Sequence, residues 1–319
     1  MTKWVNDVEA LVKIAKEEPQ AALCAFNTGL SQRWAFVQRT MEGIGALFQP
    51  IEDVIRQKVI PALCGRHISD LERRLFALPY RYGGLGIRNP VETAASAYDA
   101  SVRITQPLSD LILTQNMDLS MLDREVVSRI KTVITEEKER VYVAEAEEIA
   151  ATLDIKSKRL LKCAQEKGAS AWLAALPIKN LGYSVNKQEF RDAICLRYGW
   201  KVKDMPVHCA CGDANSIDHV MICKRGGYVS MRHNALRDTE ANIMEKVCID
   251  VQTEPALLEA DGQDIRPDIS ARGIWNRYEK TFFDVKVIHP TADSHMAKPL
   301  GRLYSEGEAE KGGNTISVL

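Results

Sequence analysis

The stretch Thr281-Phe282-Phe283-Asp284-Val285-Lys286-Val287-Ile288 constrains this chain more than any other. Apolar residues run on both sides of an acid and a base, the pattern of a buried strand. Successive strand side chains alternate faces, so Asp284 and Lys286 point one way while Val285 and Val287 point the other. Two charges on one face of an apolar strand are costly if unpaired, so they must meet a metal, each other or a polar cleft. Upstream lies Arg266-Pro267-Asp268-Ile269, with fifteen residues between Asp268 and Asp284. Together the segments read Pro-Asp…Asp-x-Lys, the carboxylates and lysine that phosphodiester-cutting enzymes need. Mg2+ prefers oxygen ligands and keeps several waters, so Asp268 and Asp284 need supply only two carboxylates. Lys286 beside them is placed to orient or deprotonate the attacking water. An Asp–Lys pair closing an edge strand has the same local pattern. A further carboxylate is expected from Glu254, before Pro255 at the edge of a strand running from Val251 through Leu257 and Leu258, where a solvated strand end has the same pattern; Asp238 and Glu240 are the other candidates.

A second cluster stands upstream. Cys209-Ala210-Cys211, then His219 and Cys223, form C-x-C-x7-H-x3-C. Three thiolates and an imidazole suit tetrahedral Zn2+, and Gly212-Asp213 supplies a turn between ligands. His219 and Cys223, four apart, share one helical face. A four-ligand zinc site is closed and structural, so catalysis must lie elsewhere. His208 is adjacent and could substitute as a ligand, but one ring beside a knuckle is usually a bystander. Cys24, Cys64, Cys163, Cys195 and Cys248 sit in apolar helical settings and read as buried thiols. Directly after the cluster, Arg225, Arg232 and Arg237 are candidate phosphate contacts, Tyr228 a base-stacking residue and His233 a further nucleic-acid contact. A basic, solvated helix start with a half-buried Tyr228 has the same composition.

The remaining chain is mostly helical in pattern. Trp4, Val8, Leu11, Val12 and Ala15 fall at helical spacing, as do Phe26, Leu30, Trp34, Val37 and Met41. Ser69 with Glu72 is a capping box, Pro79 a stop, and Asn89-Pro90 a restart running to about Ile104. The Gly83-Gly84-Leu85-Gly86 loop fits either a phosphate cradle or a tight helix-to-helix turn. Arg124 to Lys167 holds ten basic and nine acidic residues, as a solvated connector would. Asn186 with Glu189 caps another helix, and Trp172, Leu176, Phe190, Ile194 and Leu196 read as local core. Net charge is −1, so a nucleic-acid surface must be local: residues 31–90 hold nine Lys/Arg against five Asp/Glu, and Cys223 to Arg237 four against none. With no run of eighteen apolar residues and acids throughout the first twenty, neither a membrane span nor a secretory signal is expected, and the chain reads as intracellular.

In this order the motifs carry a resemblance. Residues 206–290 resemble the restriction-like endonuclease of site-specific non-LTR retrotransposons, with a CCHC knuckle, Arg232-His233-Asn234 and then Pro267-Asp268…Asp284-x-Lys286. Residues 30–115, through Trp34…Arg39-Thr40-Met41-Glu42-Gly43-Ile44, Ile60-Pro61-Ala62-Leu63 and Leu75-Phe76-Ala77-Leu78-Pro79…Gly83-Gly84-Leu85-Gly86-Ile87, resemble the region following the reverse transcriptase palm, which would make them thumb-like. The resemblance implies DNA nicking that primes reverse transcription, structural Zn2+, catalytic Mg2+, DNA and RNA as partners, and a nuclear location. No Tyr/Phe-x-Asp-Asp occurs, so polymerisation is not expected. The final residues break at Gly312-Gly313-Asn314 where the family continues with a basic helix, which reads as a truncated copy. The expected class is α+β. A helical thumb-like region (1–115), charged connector (116–168) and small helical unit (169–205) precede the zinc knuckle (206–224), a small α/β PD-(D/E)xK nuclease-like domain (225–300) and a tail (301–319).

Overall fold

The computed structural model describes residues 1–115, 124–256, 266–311 and 314–318. Two units form, Met1–Trp200 and Lys201–Leu319. The first is helical. Val8, Leu11 and Ala15 bury one face of the Thr2–Glu17 helix, and Pro19, whose missing N–H costs nothing in a first turn, starts Pro19–Thr28. The single run expected from Phe26 to Met41 is interrupted by Gly29 and a 3-10 turn, Leu30–Gln32, before the Ala35–Thr40 helix. Gln49–Val54 passes through a π turn, Ile55–Val59, into Ile60–Cys64. Pro61 lacks the N–H that would bond to the carbonyl four residues back, and the wider turn accommodates that loss.

The capping box forms as expected: Ser69 Oγ accepts from the Glu72 amide at 3.2 Å and the Ser69 amide donates to Glu72 Oε2 at 2.7 Å. The helix from Asn89-Pro90 runs on past Ile104 and through Pro107, spanning Pro90–Leu113. In the glycine loop the amides of Gly83, Gly84, Leu85 and Gly86 donate to the carbonyls of Tyr80, Pro79, Phe76 and Leu78. With its N–H groups used internally the loop is a turn, and no phosphate cradle remains. A Cβ on Gly84 would lie 1.9 Å from the Leu78 carbonyl oxygen and 2.6 Å from that of Leu75. Both obstacles are backbone, so Gly84→Ala is expected to destabilise the helical unit by about 3 kcal/mol. The check is a lower urea midpoint at unchanged slope.

The charged connector is not a solvated bridge. The helices Arg124–Thr152 and Ile155–Gln165 bury Ala146, Ile149 and Leu161 in the same core as Phe26, Phe48, Phe76 and Phe190. One core thus spans Val8 to Ile194, and the expected divisions at 115/116 and 168/169 separate nothing. Phe190 and Ile194 are buried as expected, whereas Leu176 and Leu196 are exposed. Of the five thiols expected to be buried, Cys64 and Cys195 are; Cys24, Cys163 and Cys248 are half-buried.

The second unit is built on a four-stranded sheet, β1 (Ile249–Thr253), β2 (Ile269–Arg272), β3 (Lys280–Val287) and β4 (Asn314–Val318), in that order. β1, β2 and β3 pair antiparallel, and β4 joins β3 in parallel. A parallel return needs a crossover, which contains the helix Leu300–Lys311. Residues 301–319, expected as a tail beyond the domain, therefore supply a helix and a strand to it. The Tyr228–Met244 helix packs on one sheet face, where Ala241, Ile269, Phe283 and Val285 form a small core ringed by Leu236, Met244, Val251, Ile274 and Val287. Ile243, near the end of that helix, and Val247, just beyond it, are exposed. Leu257 and Leu258 lie outside the described residues. The class is α+β.

Candidate functional site

The cysteine cluster is positioned by a tight reversal and a short helix. The Cys209 amide donates to the Asp213 carbonyl and the Gly212 amide to the Cys209 carbonyl, both at 2.9 Å, with Gly212 at φ 96° making the turn. Ser216 caps the Ile217–Ile222 helix by accepting from the His219 amide at 3.1 Å, which sets His219 on the helix and Cys223 just beyond it. The donor atoms of Cys209, Cys211, His219 and Cys223 all lie within 4.8 Å of one another. Cys209 Sγ and Cys223 Sγ are 3.7 Å apart, and Cys211 Sγ is 3.2 Å from His219 Nε2. Tetrahedral zinc requires edges of about 3.8 Å between sulfurs and about 3.6 Å from sulfur to nitrogen. The group fits a four-coordinate metal ion such as zinc. Amides of Gly226 and Arg225 donate to the Cys223 sulfur and draw its pKa down to about 7. The Asp213 amide also favours a Cys211 thiolate, but desolvation and the neighbouring thiols outweigh it and push Cys211 up to about 11. His208 is exposed and pairs through its backbone with Ala214, outside the cluster.

The acidic residues are placed by sheet register. Ile269 sits opposite Thr253 on one side and Phe283 on the other. Asp268 immediately precedes β2 and Glu254 immediately follows β1, and the Glu254 amide donates to the Asp268 carbonyl at 2.9 Å, one step beyond the Thr253–Ile269 pair. On β3 the side chains of Thr281, Phe283 and Val285 are buried, and Asp284 and Lys286 share the other, half-buried face. Asp268 Oδ2 accepts from the Val285 amide at 2.6 Å and lies 3.2 Å from His233 Nε2, with the side chain 13% exposed. Glu254 departs from the expectation. Its backbone is left-handed, at φ 47°, and its carboxylate pairs with Arg237. Among the described residues the cysteine–histidine group is the only set of three or more such donors close enough to share an ion. Glu254 therefore does not join Asp268 and Asp284 as a third carboxylate.

Of the residues expected on DNA, Arg225 and Tyr228 are exposed. The other three turn inward. Arg232 donates to the Met221 carbonyl at 3.2 Å and reaches Met221 Sδ, tying one helix to the next, and its burial holds the guanidinium below its usual range. Arg237 is taken by Glu254 and Asp238. His233 faces Asp268 and the Val285 carbonyl. The basic excess of residues 31–90 is likewise largely spent: Arg73 pairs with Glu52, Arg74 with Glu145 and Glu148, and Arg81 with Glu139, acids the local count did not include for the last two. Arg39 and Arg88 remain exposed and outside these pairs. The turn joining β2 to β3, missed in the sequence, exposes Trp275 and Tyr278 to 72% and 80% around an exposed Arg277. Its signal was two aromatic residues beside Gly273 and Asn276, in a segment too polar to be strand.

No protein-family model matches the chain, and no curated protein does.

Proposed function

We propose that Lys201–Leu319 is a Mg2+-dependent DNA endonuclease module of the restriction-like type found in site-specific non-LTR retrotransposons. Met1–Trp200 is then its thumb-like, nucleic-acid-holding companion, and the protein works in the nucleus on DNA and RNA. The observation that carries the reading is the position of Asp268 immediately before β2, which pairs with β3, together with Asp284 and Lys286 on one face of β3. Asp268 and Asp284 are oxygen donors of the kind Mg2+ takes. When bound, Mg2+ supplies Lewis-acid polarisation of the phosphate and a more acidic water. Asp268, gripped through Oδ2, and Asp284 fix where the scissile phosphate comes to rest. Lys286 orients the attacking water and offers positive charge to the phosphoryl oxygens as they become more negative. Cleavage leaves a 3′-OH and a 5′-phosphate. Arg225, Tyr228, Trp275, Arg277 and Tyr278 are among the exposed cations and aromatic rings available to backbone and bases.

Purified protein with Mg2+ is expected to nick supercoiled plasmid, and Asp284→Ala and Lys286→Ala to lower the rate by about 100-fold or more. A plasmid left intact by the parent, or variants that cut as well as it does, would sink the reading. The diversion of Glu254 to Arg237 favours a second reading, a nucleic-acid-binding module without chemistry. That module would retard the plasmid on a gel without nicking it. Its binding would fall with Arg225→Ala and Tyr228→Ala and be indifferent to Asp284→Ala.

A further inference from the structure

His233 stands where the helix meets Asp268 and β3. From the Tyr228–Met244 helix its Nε2 lies 3.2 Å from Asp268 Oδ2 and 3.1 Å from the Val285 carbonyl oxygen. An ionised carboxylate and a carbonyl both accept, so the hydrogen belongs on Nε2 and the ring donates to both. The Val285 amide donates to the same Oδ2 at 2.6 Å. One carboxylate oxygen is thus gripped by two donors from different elements, a strand amide and a helix side chain. Among the described residues nothing bonds to Oδ1 of Asp268. The two grips fix both the position of the carboxylate and its rotation, because a single donor would leave it free to swing about the Cβ–Cγ bond.

We propose that His233 is a positioning residue that presents Asp268 Oδ1 to a divalent cation shared with Asp284. The assignment rests on the metal site of the proposed endonuclease and replaces the role of His233 as a DNA contact. Donors that orient a metal-ligating carboxylate are commonly worth about 10- to 100-fold in metal affinity. A histidine that only packed the helix onto the sheet would tolerate any side chain of its size. One that orients a ligand needs its N–H. Met and Gln have similar reach, and only Gln donates, so the pair separates donation from packing.

The probe is Mn2+, titrated into the zinc-loaded full chain and followed by electron paramagnetic resonance. Parent protein is expected to bind Mn2+ at a site abolished by Asp284→Ala. His233→Met is expected to weaken that binding about 10- to 100-fold, and His233→Gln to recover most of it, with zinc content and urea midpoint unchanged in both. His233→Met binding as tightly as the parent, or His233→Gln binding as weakly as His233→Met, would overturn the assignment. A parent with no Mn2+ site sensitive to Asp284→Ala overturns it together with the metal site. Mn2+ binding that follows the expected pattern in a protein that leaves plasmid intact supports the assignment and removes the endonuclease reading alone.

Discussion

Stripping zinc from the protein should unfold the knuckle while leaving the helical unit intact. Between Val207 and Cys223 the chain has little else to hold it. Its reversal is closed by a few backbone bonds, and its only helix, Ile217–Ile222, is six residues long, well short of what is stable in water alone. None of the residues forming the core of the second unit comes from this segment. Its buried side chains include two of the candidate ligands, Cys209 and Cys223. Structural zinc in comparable knuckles contributes apparent binding free energies of about 10–16 kcal/mol at neutral pH, far beyond what these few bonds offer. Purified protein should carry one zinc per chain. On chelation, amide exchange protection should vanish from Cys209 to Cys223, and Cys211→Ser should mimic the loss. Affinity should fall on acidification, because three thiols must shed protons for the ion to bind. The tethers seen among the described residues include Arg232 to the Met221 carbonyl, and His289 and Thr291 to Asp218 at 3.0 and 3.1 Å. A knuckle that keeps its protection without metal would mean that these tethers suffice.

The cysteine–histidine group was legible because its chemistry is written in residue type and spacing, and four candidate ligands within fifteen residues leave topology little freedom. The strand bearing Asp284 and Lys286 was legible for the same local reason: alternation assigns faces with no knowledge of neighbours. Pairings between distant segments were hidden. Glu254 precedes a proline at a strand end, which is where a third carboxylate would stand, yet its backbone turns left-handed and Arg237 reaches it from the helix. Arg232 and His233 look alike in the sequence as polar residues of a basic helix start. Only the packing of that helix on the sheet sends one to the Met221 carbonyl and the other to Asp268. The sheet's fourth strand escaped notice because Gly312-Gly313 broke the pattern just before it, and a parallel partner is contributed by a crossover whose direction no local signal encodes.

Breaking the ion pair between Glu52 and Arg73 should cost the helical unit about 3–5 kcal/mol, the range for removing one partner of a buried pair. Arg73 Nε and Nη2 each donate to a different Glu52 oxygen at 2.7 Å, and Nη1 donates to the Ile87 carbonyl at 2.8 Å. The two side chains are 6% and 7% exposed, so neither has water to fall back on. The fork ties the Gln49–Val54 helix to Asp70–Ala77 and to the residues just before Pro90, three segments that local propensity does not bring together. Arg73→Ala should leave a buried carboxylate and a carbonyl unpaired; Glu52→Ala should strand a guanidinium. Replacing both with methionine removes the charges while retaining volume, and the double variant should be more stable than either single one. Four of the five tryptophans, Trp4, Trp34, Trp172 and Trp200, lie in this unit, so urea unfolding followed by fluorescence reports on it selectively. Trp275 is already exposed and adds little to the signal. A double variant less stable than both singles would mean that the pair contributes net stability beyond its own desolvation. Singles within about 0.5 kcal/mol of the parent would mean that water replaces the lost partner and that the site is not closed.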